Sequence, residues 1–182
     1  YDEVAAALET CPADDPKGRK ELETALVGLE TVHALQLAFA EAAERALAGP
    51  DALTPAQAAN FRRIAQAARR CPWEPPRTFY EGLNTLWFVR EILGYVDGVN
   101  GFSLGRPDAC LIDFYTRERA AGTLTAAAAR DLVAKFLLTA ECHYDGTTRV
   151  DDYTDHEMEI PMSLGGCDAK GAPLYNDLTE MF

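Results

Sequence analysis

One stretch of the chain changes from an extended to a helical pattern within a few residues. Residues 100–108, Asn-Gly-Phe-Ser-Leu-Gly-Arg-Pro-Asp, predict a short extended run tipped by glycine, and residues 109–115 predict a helix that follows at once. Such corners hold ligands in many α/β proteins, because glycine lets backbone approach closely and the helix N-terminus offers free N–H groups. The stretch therefore predicts an α/β fold with a candidate ligand site at this corner.

Helical periodicity dominates the rest of the chain. We predict helices over residues 1–11, 19–47, 54–70, 78–93, 109–119, 126–141 and 176–182. Thr54 and Thr78 each begin a capping-box pattern, and the helix after Thr78 is apolar around most of its surface, which predicts burial on several sides. Residues 142–155 predict a polar, turn-rich loop, and period-two alternation predicts a strand over 158–164. The fold class is thus α/β, mostly helical with a few short strands.

The charge of the chain excludes several classes of partner. With 17 Lys and Arg against 29 Asp and Glu, the formal net charge is −12, which repels nucleic-acid phosphates and anionic lipid surfaces. No apolar run is long enough to span a bilayer. The 5 cysteines are odd in number, widely spaced and without a C-x-x-C pair, which argues against a disulfide framework. We therefore expect a cytoplasmic protein without nucleic-acid or membrane partners.

The two ends of the sequence both lie in helical patterns. The chain begins at Tyr1 without a methionine and ends at Phe182 within a predicted helix. We expect it to be an internal fragment of a longer polypeptide, with residues 1–182 forming part of one domain and no separate boundary inside it.

Several segments resemble one protein family when they are taken together and in order. Each is weak alone, but their order and spacing are similar to those of glycyl radical enzymes, the pyruvate formate-lyase superfamily, from about Glu30 to the end. The segments are Arg77–Asn84, Asn100–Asp108, Phe114–Tyr115 with Gly122–Thr125, and Ser163–Asp168 with Gly171 and Asn176–Thr179.

The resemblance implies a fold and a chemistry. It implies that the chain is part of a ten-stranded α/β barrel in an enzyme where a C-terminal glycine stores a radical and a loop cysteine becomes a thiyl that takes hydrogen from the substrate. Both residues fall outside this sequence in family order, so no catalytic residue is expected here and the isolated fragment is expected to be inactive. The parent would be a lyase or a transferase, formate C-acetyltransferase-like, that cleaves a C–C, C–O or C–N bond in anaerobic cells.

The resemblance also implies partners. A separate radical-SAM activating enzyme with an iron–sulfur cluster would install the glycyl radical, and this segment itself would bind no cofactor. A small-molecule substrate and a homodimer of the full chain complete the expected partners. The alternative function, from a different class, is a non-catalytic helical scaffold or interaction domain that kept the fold without the radical residues.

Three residues are candidates for the substrate pocket. The resemblance places Phe102 where diol-dehydrating members carry a substrate-contacting histidine, so a phenyl ring there favours a less polar or aromatic substrate. Ser103 points to the opposite face of an extended run, so only one of the two can line the pocket, and we favour Phe102. Cys167 sits on a glycine turn and is the third candidate, although a loop thiol with no neighbouring base is the common interpretation of such a cysteine.

Two charged residues at the corner are expected to have structural roles. Arg106 can either hold an anionic substrate or form a buried ion pair with Asp108 or Asp113, and we favour the ion pair. No metal site is expected, because the spacing of Cys142, His143, His156 and Cys167 fits no common template. The carboxylates at 151–159 are interpreted as a solvated acidic turn, and His33 as a hydrogen-bonded core histidine.

Overall fold

The computed structural model describes residues 1–93, 103–142, 149–150, 153–154 and 161–182. These residues form two compact units, 1–73 and 74–182. Within the described residues there are helices and one small sheet: α1 Asp2–Thr10, α2 Pro16–Ala48, α3 Pro55–Ala68, α4 Phe79–Glu91, α5 Pro107–Ala120, α6 Ala126–Cys142, β1 Arg149–Val150 and β2 Tyr153–Thr154.

The helices of the first unit begin where side chains satisfy their free N–H groups. The Asp15 carboxylate accepts a hydrogen bond from the Gly18 N–H at 2.9 Å, so α2 begins at Pro16, three residues before the predicted start. At α3 the Thr54 hydroxyl accepts from the Gln57 N–H at 3.2 Å, and the Gln57 side chain accepts from the Thr54 N–H at 2.9 Å. This reciprocal pair confirms the capping box predicted at Thr54.

The buried apolar side chains of the first unit are all small, and Gln36 is its one buried polar side chain. None of its leucine, valine, isoleucine or phenylalanine side chains is buried, and all of residues 1–73 are described. Its buried apolar residues are Ala40, Ala43, Ala65, Ala67, Ala68 and Cys71. Small residues at a helix contact let the axes approach closely, so α2 and α3 pack through an alanine seam. Across this seam the Arg69 guanidinium donates to both carboxylate oxygens of Glu44, at 3.0 and 2.6 Å.

The second unit has a core of large side chains where α4 packs against α5 and α6. Its buried members are Phe79, Leu83, Leu111, Tyr115, Leu124, Ala129, Val133, Phe136 and Leu178. Gly82 marks the close approach of α4 to α5, because a Cβ atom there would lie 2.5 Å from Cδ2 of Leu111. The predicted burial of α4 on several sides is only partial, since Val89 is 41% exposed.

The capping box predicted at Thr78 forms one of its two expected hydrogen bonds. The Thr78 hydroxyl accepts from the Glu81 N–H at 3.1 Å, as the pattern predicts. The Glu81 carboxylate accepts from the N–H of Arg77 at 2.6 Å, one residue before the position that a capping box uses. The Glu118 carboxylate of α5 also accepts from the Phe79 N–H at 3.1 Å, so α4 begins against a side chain distant in sequence.

Two irregular segments run side by side in the same direction. The Leu104 N–H donates to the Pro161 carbonyl at 3.0 Å, and the Ser163 N–H donates to the Gly105 carbonyl at 2.8 Å. The strand predicted over 158–164 is not found in its described part, 161–164, and residues 103–106 form no strand either. Pro161 has no N–H to extend a ladder, and Gly105 has φ of +68°, outside the extended region.

Two further predictions of secondary structure are wrong. A two-stranded antiparallel sheet, with Arg149 paired to Thr154 and Val150 to Tyr153, lies within the segment predicted as a turn-rich loop. The sequence signal that could have found it is the pair of β-branched and aromatic residues on either side of a two-residue gap.

The helix predicted over 176–182 is also absent. These residues form successive turns, with the Thr179 N–H bonded to the Asn176 carbonyl and the Met181 N–H to the Leu178 carbonyl. A seven-residue segment is too short to be stable as a helix by itself, and tertiary contacts of Leu178 and Thr179 determine its shape instead.

Candidate functional site

The corner between the extended segment and α5 is the candidate site. Asn100, Gly101 and Phe102 lie outside the described residues, so the structure does not place the pocket residue that we favoured. Ser103 is exposed, and its hydroxyl accepts a hydrogen bond from the Gly105 N–H at 3.0 Å. From Gly105 the chain enters α5 at Pro107, whose fixed φ suits the first turn of a helix.

The Asp108 carboxylate is fully buried and joins three parts of the second unit. Its Oδ2 atom accepts from the Gly165 N–H at 2.7 Å and from the Thr179 hydroxyl at 2.7 Å. Its Oδ1 atom accepts from the Ala109 N–H, in the first turn of α5, at 2.8 Å. The side chain has 0% relative exposure, so these bonds replace all of its contact with water. We call Asp108, Arg106, Gly165 and Thr179 the clamp.

Arg106 bonds the carbonyl group of Gly165, the residue whose N–H donates to Asp108. One Nη2 N–H donates to the Gly165 carbonyl, so both backbone groups of Gly165 are held by side chains of the corner. The ion pair favoured from the sequence takes a different form, because the guanidinium bonds this carbonyl and its charge acts on the Asp108 carboxylate through space. Arg106 is half-buried rather than fully enclosed.

The clamp keeps Asp108 ionised. Burial by itself raises the pKa of this carboxyl group, but hydrogen bonds from Gly165, Thr179 and Ala109, together with the positive charge of Arg106, outweigh it and lower the pKa below its usual value. The negative charge also lies at the N-terminal end of α5, where the helix dipole favours it. In the first turn of α5, the Ala109 N–H thus donates to the chain's own carboxylate, and the Cys110 N–H donates to the Arg106 carbonyl at 2.9 Å, so neither is open to a ligand.

The turn after Gly165 is held by its own hydrogen bonds. Gly165 and Gly166 have φ of +65° and +83°, a region that residues with a Cβ rarely adopt. Beyond them the Asp168 carboxylate accepts from the Lys170 N–H at 2.8 Å and the Ala172 N–H at 2.9 Å, and the Leu174 N–H donates to the Gly166 carbonyl at 2.9 Å. Cys167, the third pocket candidate, is exposed on this turn.

The last residues return to the clamp. The Asn176 side-chain oxygen accepts from the Leu178 N–H at 2.9 Å, which fixes the turn that buries Leu178 completely. Tyr115 of α5 donates its hydroxyl hydrogen to the Asp177 carboxylate at 3.3 Å, and its ring lies 6.0 Å from that of Phe79 in an edge-to-face contact. The segments that resemble glycyl radical enzymes therefore meet in the second unit through specific contacts.

Sequence reasoning missed two members of the clamp. It assigned Arg106 and Asp108 to structural roles but gave no role to Gly165 or Thr179, which lie 57 and 71 residues beyond Asp108. Both belong to segments quoted for the family resemblance, and that is the one signal that could have found them.

The remaining residues weighed from the sequence, which are the possible metal ligands, the acidic turn and His33, form no second site among the described residues or lie outside them. Among the described residues, no group of three or more His, Cys, Asp or Glu side chains is arranged to hold a metal ion. The side chains of Cys142 and His143, like His156 and the carboxylates of 151–159, fall outside what the structure describes. His33 is half-buried and stacks on Trp73, with ring centroids 4.1 Å apart.

The helices in the described ranges are too short or too polar to cross a membrane.

Comparison with curated proteins finds isethionate sulfite-lyases among the relatives of the chain. The chain is 27% identical over 192 residues to isethionate sulfite-lyase of Desulfovibrio desulfuricans, covering 98% of this chain and 22% of that protein. It is 25% identical over 194 residues to the protein of the same name from Bilophila wadsworthia, covering 100% of this chain and 22% of that protein. The chain thus spans about a fifth of the length of the curated relatives that it matches.

Comparison with solved structures shows a shared fold. A structure describing 1,2-propanediol dehydration in Roseburia inulinivorans matches with a TM-score of 0.85 and 21% identity, over 99% of this chain and 23% of that one. Hydroxyproline dehydratase from Clostridioides difficile matches with a TM-score of 0.83 and 20% identity, over 99% and 24%. A glycyl radical enzyme from Archaeoglobus fulgidus matches with a TM-score of 0.74 and 22% identity, over 98% and 23%.

The family model described as "Pyruvate formate lyase-like" matches residues 1–182, the whole chain. This match includes the first unit, which extends beyond the region where the sequence motifs suggested a likeness. The chain belongs to the pyruvate formate lyase-like family.

Proposed function

We propose that these residues form part of the barrel domain of a glycyl radical lyase. In this proposal the enzyme cleaves a C–C, C–O or C–N bond of a small organic substrate after a thiyl radical removes a hydrogen atom. The radical glycine and the thiyl cysteine belong to other parts of the longer protein, and residues 1–182 supply framework and one wall of the pocket. The names of the curated relatives favour a lyase over a transferase, and because release of sulfite breaks a C–S bond, they add that bond to the possible ones.

One observation carries the proposal. The family match extends over the whole chain, and within it the family-like segments meet at a buried clamp and a shared core rather than lying scattered on the surface. Radical chemistry needs a rigid, water-excluding wall to protect its intermediates, and a framework with a buried carboxylate held by three hydrogen bonds supplies one.

The direct test is to look for the radical in the full-length protein. The coding sequence beyond residue 182 is expected to contain a cysteine loop and a C-terminal glycine motif. Anaerobic treatment of the full-length protein with a radical-SAM activating enzyme and S-adenosylmethionine should then give the doublet of a glycyl radical in electron paramagnetic resonance. The same treatment of a chain ending at residue 182 serves as the control and should give no signal.

The opposite result would favour the alternative function. A reading frame that encodes neither motif, together with an absent doublet, would point to a non-catalytic scaffold or interaction domain with the family fold. We further propose that the full-length enzyme is a cytoplasmic homodimer activated by its radical-SAM partner.

The proposed substrate preference of the pocket rests on Phe102. We propose that its phenyl ring favours a less polar substrate than a small polyol, because it can neither donate nor accept a hydrogen bond. Activated full-length enzyme should therefore leave 1,2-propanediol unchanged by gas chromatography. Turnover of this diol would contradict the assignment of Phe102.

A further inference from the structure

The Gly165 peptide is the natural hinge of the segment that carries Cys167. Gly165 and Gly166 are adjacent glycines with positive φ, and glycine has more backbone freedom than any other residue. Beyond this pair, the turn from Gly166 to Leu174 is closed by its own hydrogen bonds and by the Asp168 carboxylate. Because its own hydrogen bonds hold the turn together, rotation of the backbone at Gly165 would change the orientation of the turn as a whole.

The clamp acts at this hinge from both sides. Asp108 accepts the Gly165 N–H and Arg106 donates to the Gly165 carbonyl, so rotation about either side of the glycine breaks a bond to a charged group. Hydrogen bonds with one charged partner are about twice as strong as neutral ones. An apolar side chain at residue 108 could fill the same space, but it could not accept the Gly165 N–H.

A single oxygen atom also fixes the far end of the segment. Oδ2 of Asp108 accepts from the Gly165 N–H and from the Thr179 hydroxyl, both at 2.7 Å. The residues between Gly165 and Thr179 therefore form a loop whose two ends meet on one atom at the start of α5. Thr179 in turn accepts from the Asn176 N–H at 3.1 Å, which connects this end to the turn that buries Leu178.

We propose that Asp108, acting with Arg106 and Thr179, is a positioning residue that sets the orientation of the Gly165–Cys167 turn as a wall of the substrate pocket. The part of this inference that concerns the pocket rests on the proposed function, whereas the orientation of the turn does not.

Thr179 offers a matched pair of variants. Thr179→Val keeps the shape of the side chain and removes the hydroxyl, whereas Thr179→Ser keeps the hydroxyl and removes a methyl group. The experiment uses the full-length protein and measures hydrogen exchange of peptides by mass spectrometry. Peptides from the α4–α6 core report on global stability in the same samples.

We expect Thr179→Val to speed amide exchange in residues 163–168 by about tenfold, the factor for losing roughly one hydrogen bond to a charged group. Exchange in the core peptides should change far less, and Thr179→Ser should restore wild-type rates. Asp108→Asn should act in the same direction with a larger effect, because its amide group cannot accept all three N–H and O–H donors.

Three results would overturn the proposal: unchanged exchange at residues 163–168 in Thr179→Val, equal acceleration in the core peptides, or no rescue by Thr179→Ser. The radical measurement is independent of these. If wild-type protein gives no glycyl doublet after activation, the proposed function fails and the pocket role fails with it, while exchange still decides whether the clamp orients the turn.

Discussion

The two units of this chain are stabilised in different ways. The first, residues 1–73, buries alanines along a helix seam and leaves its larger apolar side chains at least partly exposed. The second, residues 74–182, encloses aromatic and branched side chains and three buried charged groups, Asp108 and the paired Arg90 and Glu91. The family-like segments with identifiable contacts lie in the second unit. Equivalent substitutions in the two units should therefore have different effects.

The largest difference is expected for a side chain of the core. Phe79 has 0% relative exposure, so Phe79→Ala should lower the free energy of unfolding by about 3–5 kcal/mol through lost burial and a cavity. Val27 in the first unit is 63% exposed, and Val27→Ala should change it by less than about 0.5 kcal/mol. Urea unfolding followed by circular dichroism measures both. Similar losses in the two variants would contradict the contrast between the units.

The next effect concerns the buried charge and depends on pH. The pKa of Asp108 is lower in the folded state than its unfolded value of about 3.9, so its stabilisation is complete above that value and is lost as the pH falls through the folded pKa. At pH 7, Asp108→Asn should lower the free energy of unfolding by about 1.5–3 kcal/mol. The difference from wild type should shrink below about pH 4. A difference that grows on acidification would show that Asp108 is protonated in the folded protein.

Replacing a helical glycine by alanine should change the free energy of unfolding in opposite directions in the two units. Gly82→Ala in α4 would place Cβ 2.5 Å from Leu111, and the repacking should lower the free energy of unfolding by about 1–3 kcal/mol. Gly28 lies within α2, and no neighbouring atom lies within 4 Å of the position that a Cβ atom would take there. Gly28→Ala should therefore raise the free energy of unfolding by up to about 1 kcal/mol through helix propensity. Thermal unfolding of both variants is the measurement. Stabilisation by Gly82→Ala would mean that α4 and α5 are less tightly packed.

A smaller effect is expected at the helix cap of the first unit. Thr54→Ala removes the hydroxyl that accepts the Gln57 N–H and should lower the free energy of unfolding by about 1 kcal/mol. Thr54→Ser keeps the cap and is the control, for which we expect a change of only a few tenths of a kcal/mol. If serine and alanine are equally destabilising, the methyl group rather than the cap is responsible.

The smallest effect is expected for the ion pair across the alanine seam. Arg69 and Glu44 are 43% and 46% exposed, so solvent weakens their attraction despite its good geometry. Glu44→Gln should lower the melting temperature less than any destabilising substitution above, and 1 M NaCl should remove most of the difference from wild type. A difference that is independent of salt would indicate that the hydrogen bonds, rather than the charges, stabilise the pair.

The sequence by itself determined the helices and the family. Apolar periodicity and caps are local signals, so α1–α4 and α6 are found close to their predicted bounds, and the capping box at Thr54 has the expected contacts. The motifs also predicted the family correctly, because their order along the chain does not depend on how the chain folds.

Tertiary structure decided the parts that depend on distant residues. Residues 176–182 form turns rather than a helix because Leu178 enters the core and Thr179 bonds Asp108. Arg106 bonds a glycine carbonyl rather than a neighbouring carboxylate, and the Ala109 N–H at the corner donates to Asp108 of the same chain. The sequence alone shows that residue 108 is an aspartate and predicts that it lies at the start of a helix. Only the fold brings Gly165 and Thr179 to its oxygens, because hydrogen bonds between residues so far apart depend on packing rather than on local preference.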